Sequence, residues 1–94
     1  MALNLNEAQL ATLKELGATF FTHRECAIIL EIETSTFINE MKSPGSAAYK
    51  TYYAGFYSST LKVRKSIMEL SVRGSGPAQQ QMIKIIDATM LGNK

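Results

Sequence analysis

The sequence predicts an all-α fold, and three observations predict it. Apolar residues recur at helical spacing in several segments. Capping signatures stand in front of those segments. No alternating strand pattern or hairpin turn occurs anywhere in the 94 residues.

Asn6 caps a first helix, and Gln9 completes its capping box. Leu10, Leu13 and Leu16 share one apolar face, with Ala11 beside it, and Gly17 reads as a natural C′ stop. Thr22 and Glu25 form a second box, opening a helix from about Thr22 to Glu31. A third runs from about Ser35 to Lys42, with Thr34, Ser35 and Thr36 as alternative caps. Ser-Pro-Gly at 43–45 breaks the chain.

Ser46 opens the next helix. Gly55, followed by Ser58 and Ser59, allows either one bent helix or two. Further on, Val63, Ile67 and Leu70 form a stripe, with Met68 adjacent. Gly-Ser-Gly-Pro at 74–77 is a break, and Pro77 suits the first turn of a last helix. Met82, Ile85, Ile86 and Met90 share a face there, Ile83 flanks it, and Gly92 ends it. The expectation is five or six helices in a single domain, residues 1–94.

The stretch from Thr22 to Met41, THRECAIILEIETSTFINEM, has the pattern of a helix-turn-helix at about residues 20–42. Ala27 is small and lets the second helix cross close over the first. Leu30 packs beneath, Ile32 plugs the turn, and Phe37 anchors the second helix. The turn position usually held by Gly is Glu31, so the turn must be made without the residue that takes the left-handed conformation most easily. Such a second helix can enter a DNA major groove, and the same hairpin also occurs in ordinary helical cores. Its outward residues would be Ser35, Thr36, Asn39, Glu40 and Lys42. Asn39 suits adenine, Lys42 a phosphate or guanine, and Ser35 and Thr36 either backbone or base. Glu40 would be repelled by phosphate.

Composition bounds the rest. Ten basic and eight acidic residues give a net charge of +2, too mild to announce nucleic acid by itself. Cys26 is the only cysteine, so no intrachain disulfide or thiolate cluster forms. It reads as a small buried hydrophobe, with His23 in a first helical turn facing solvent and not poised as its base. No phosphate loop, metal-ligand spacing or Ser/His/Asp set is present, so no enzyme, cofactor or metal is expected. No basic, apolar leader and no apolar run of about 20 residues occurs, so neither a signal peptide nor a membrane span is expected. The expected location is the cytoplasm.

Two further groups stand out. Lys62, Arg64, Lys65, Arg73 and Lys84 follow Gly55. Lys62, Lys65 and Arg73 are candidates for phosphate contact, the alternative being a solvated helix face. Tyr49, Tyr52, Tyr53, Phe56 and Tyr57 form a stripe at helical spacing, either core-facing or a subunit interface.

The order of these segments resembles the small terminase subunits of tailed bacteriophages. In that family a segment of the form AYxxYxxGxxxxxxxxRxxxxxxAxxGSxxA follows the helix-turn-helix. Tyr49, Tyr52 or Tyr53, Gly55, Arg64, Gly74, Ser75 and Ala78 occupy comparable places, and Ser71 replaces the usual Ala. The resemblance covers roughly residues 19–88. It departs from the family at Glu31 and in length. It implies a non-enzymatic subunit of viral genome packaging, working in the host cytoplasm. That subunit recognises double-stranded DNA as a ring-shaped homo-oligomer and hands it to the large motor subunit. Helices over about 46–91 would assemble the ring, through Tyr49, Tyr53, Tyr57 and Ile86. A dimeric transcriptional regulator and an interaction module without DNA binding are the alternatives.

Overall fold

The computed structural model describes residues 3–93, and these are all-helical. The elements are α1 (Glu7–Ala18), α2 (His23–Ile29), α3 (Thr34–Glu40), α4 (Ala47–Val72) and α5 (Gly76–Gly92). The chain divides into two compact units, Met1–Thr60 and Leu61–Lys94. The boundary between the units falls inside α4. The cause is packing: the first half of α4 supplies Ala48 and Tyr52 to the core of the first unit.

In the first unit both expected capping boxes form. Asn6 accepts from the Gln9 amide at 2.8 Å, and Thr22 accepts from the Glu25 amide at 3.1 Å. Each glutamine or glutamate side chain reaches back to the cap amide. Gly17, expected as a helix stop, lies within α1 and is buried. Phe20 takes the left-handed position instead, at φ 65°, and the Phe21 amide donates to the Leu16 carbonyl at 3.1 Å. That conformation costs a non-glycine residue about 1 kcal/mol. The Phe20 ring packs edge-on against Phe56, with centroids 5.1 Å apart, which helps hold it there.

Glu31 makes the turn between α2 and α3 at φ 57°. The Ile32 amide donates to the Ala27 carbonyl at 2.9 Å, and the Glu31 amide to that of Ile28 at 3.2 Å, which closes α2. The expected hydroxyl cap on α3 is absent. Glu33 occupies the cap position without a side-chain cap bond, and the Ser35 hydroxyl donates to the Glu33 carboxylate.

Leu13, Cys26, Ala27 and Phe37 are wholly buried, joined by Leu16, Met41, Ala48 and Tyr52. Leu30 and Ile32 pack against this core, as the helix-turn-helix pattern requires. Ser46 caps α4 by accepting from the Tyr49 amide at 3.1 Å. α4 is one helix of 26 residues, neither divided at Gly55 nor recapped at Ser58 or Ser59.

The second unit comprises the end of α4 and α5. Gly74, at φ 98°, and a bond from the Ser75 amide to the Leu70 carbonyl at 3.0 Å terminate α4. Ser75 caps α5, and Pro77 stands in its first turn. The Gln79 side-chain amide donates to the Ser71 carbonyl at 3.1 Å. Ala78 is the one buried residue among those described in this unit.

Candidate nucleic-acid interface

The core decides what α3 presents outward. Phe37 points inward and is completely buried, which leaves Ser35, Thr36 and Asn39 exposed. Lys42 is exposed just past the helix, where its amide donates to the Asn39 carbonyl at 3.2 Å. These four residues therefore lie on or beside one accessible surface. Glu40 departs from the expected outward set. It is half-buried, and its carboxylate accepts the Leu3 amide at 2.6 Å, tying the N-terminal segment to the end of α3. A contact across 37 positions leaves no local sequence signal.

Lys62, Lys65 and Arg73 are all exposed. Lys62 and Lys65 are one turn apart on α4. Arg73 follows Lys65 by eight positions, close to two further turns along the same side.

The tyrosines divide. Tyr52 is buried, and its hydroxyl donates to the Phe21 carbonyl at 2.5 Å. Tyr49 and Tyr53 are half-buried against the core, whereas Tyr57 is exposed. Tyr49, Tyr53 and Tyr57 form a ladder one turn apart, with centroid spacings of 4.6 and 5.7 Å. A carboxylate at Tyr53 would therefore disturb the fold before it disturbed any subunit contact. Ile86 is about half exposed on α5 and available to a neighbour.

His23, expected to face solvent, is half-buried. It packs edge-on against Tyr52 and Tyr53, and its Nε2 lies 3.2 Å from the Tyr53 hydroxyl. Burial holds its pKa below the ordinary 6.5. Cys26 is buried as expected, and burial first, then the charge of Glu25, pushes its thiol up to about 11. A thiol so raised stays protonated at neutral pH and makes a poor nucleophile.

Charge is unevenly divided along the chain. Residues 1–60 hold Glu7, Glu15, Glu25, Glu31, Glu33 and Glu40 against Lys14, Arg24, Lys42 and Lys50, a net of −2. Residues 61–94 hold Lys62, Arg64, Lys65, Arg73, Lys84 and Lys94 against Glu69 and Asp87, a net of +4. The surface of α3 thus offers hydroxyls and an amide with little positive charge, while the second unit holds the cations.

Ile28 and Ile29 were hidden within the apolar run CAIIL. Both are exposed, because Cys26, Ala27 and Leu30 take the inner face of α2. Helical spacing is the signal that separates them. Among the described residues no group of three or more His, Cys, Asp or Glu could hold a metal ion. No described helix is long and apolar enough to cross a membrane. No family model, curated protein or solved structure matches the chain.

Proposed function

We propose that this protein is a non-enzymatic, double-stranded-DNA-binding subunit that works as a homo-oligomer. The observation that carries the reading is the turn at Glu31. Its left-handed backbone, with Ala27 and Phe37 buried on either side, leaves Ser35, Thr36 and Asn39 free to meet a major groove. In this reading Asn39 pairs with adenine, and Lys42 contacts a phosphate or guanine. Lys62, Lys65 and Arg73 supply the sequence-independent part of the affinity.

A single copy holds DNA weakly, because the first unit is net acidic. Several copies acting together compensate, since each later contact is effectively intramolecular. Tyr57 and Ile86 belong to the assembly surface. The likeness of the Tyr49–Ala78 pattern to small terminase subunits supports placing this activity in phage genome packaging, with a large motor subunit as a further partner.

The test is a mobility shift on duplex DNA across a salt series. The intact protein retards DNA, and Lys62→Ala with Lys65→Ala lowers the salt slope by roughly one unit each. No retardation at low salt, or a double variant with unchanged affinity and slope, refutes the reading.

A further inference from the structure

The second unit leaves apolar surface uncovered. Leu61, Val63, Met68, Leu70 and Val72 of α4 are at least about half exposed, as are Ile83, Ile86, Met90 and Leu91 of α5. On α4 these residues fall on two opposite sides. At 100° per residue, Val63 and Leu70 lie together, and Leu61, Met68 and Val72 lie together across the helix. A lipid surface could cover only one of those sides, whereas protein neighbours could cover both.

The side with Met68 and Val72 forms a shallow groove of about 510 Å³, lined by Lys65, Met68, Glu69, Val72 and Arg73. Its floor is apolar, and its rim carries two cations and one carboxylate. The first unit displays the complement. Ile28, 65% exposed, and Ile29 project from the end of α2, with Glu25 one turn before them and Glu31 and Glu33 beyond. Arg24 is the one cation in that stretch.

We infer that the Ile28–Ile29 tip of one copy docks into the Lys65–Arg73 groove of a second copy. Charge selects this pairing. Two second units brought face to face would oppose net charges of +4, whereas a second unit against a first unit opposes +4 to −2. The two surfaces differ, so the contact is head-to-tail. It leaves one tip and one groove free at each stage, and it closes only as a ring or runs on as a filament. The inference rests on the proposed self-assembly and adds a contact to the surface of Tyr57 and Ile86; in a docked groove Lys65 and Arg73 face the neighbour's carboxylates, and they meet phosphate only where a groove stays free.

Disulfide trapping tests it, because the only native cysteine is buried and its thiol is raised to about 11. Ile28→Cys combined with Met68→Cys in one chain, under a mild oxidant, gives a ladder of interchain-linked species. Either single variant alone stays unlinked. Three results overturn the inference: no linkage in the double variant, a disulfide formed only within one chain, or Met68→Cys alone linking as fast as the double variant. The mobility shift of the unlinked native protein keeps the two readings apart: no retardation there, with the ladder formed in the double variant, refutes the DNA reading and leaves the contact standing.

Discussion

Gly17 of α1 and Gly55 of α4 each rest against the backbone of the other helix. A methyl group at Gly17 would overlap the Tyr52 carbonyl oxygen, and one at Gly55 would overlap that of Lys14. The two helices therefore cross at the closest approach that side chains allow. This crossing fixes where Tyr52 enters the core and how its hydroxyl reaches Phe21.

Gly17→Ala and Gly55→Ala should each destabilise the fold by about 2–3 kcal/mol, because rigid backbone must move. Helix propensity alone predicts the opposite sign, a gain of about 1 kcal/mol. Gly45→Ala meets open space and should stay within about 0.5 kcal/mol. Urea midpoints of the three variants decide between packing and propensity.

Phe37→Ala should cost about 3–5 kcal/mol, since Phe37 is wholly buried and holds α3 to the core. A melting temperature unchanged by the substitution would mean that α3 is not anchored there, and that Ser35, Thr36 and Asn39 do not form its outer face.

Stability should be highest between roughly pH 6.5 and pH 9, where His23 is neutral and Cys26 is still protonated. Burial depresses the His23 pKa in the folded state. Its contribution is therefore present above 6.5 and lost as pH falls through the folded value. Cys26, raised from 9.0 to about 11, contributes below 9.0 and loses that contribution as pH rises toward 11. Tyr52 and Tyr53 are raised by burial and act in the same direction as Cys26. Denaturation midpoints measured across pH should show both shoulders, and His23→Phe should flatten the acid one. A profile flat down to pH 5 would contradict the burial of His23.

The features legible in the sequence are local ones. The boxes at Asn6–Gln9 and Thr22–Glu25 and the cap at Ser46 depend on residues three apart. The turn at Glu31 follows from Ala27, Ile32 and Phe37 keeping their inward spacing. What could not be read depends on residues far apart. Gly17 has the signature of a helix stop, and only the arrival of Gly55 explains why α1 continues through it. Gly55 in turn reads as a weak point, yet it is where α4 meets α1. His23 looks exposed until Tyr52 and Tyr53 pack on it. Glu40 looks outward-facing until Leu3 approaches. At the candidate site the exposure of Ser35, Thr36, Asn39, Lys42, Lys62, Lys65 and Arg73 was legible from helical spacing, while the exposure of Ile28 and Ile29 was masked by their apolar neighbours.

Light scattering on the chain alone and with a short DNA duplex is the most direct test of a DNA-binding homo-oligomer. The subunit mass is 10.4 kDa. The free protein should have a mass of several subunits, and a heavier species containing both protein and duplex should form at moderate salt. A species of 10.4 kDa that leaves the duplex unbound would contradict a DNA-binding homo-oligomer.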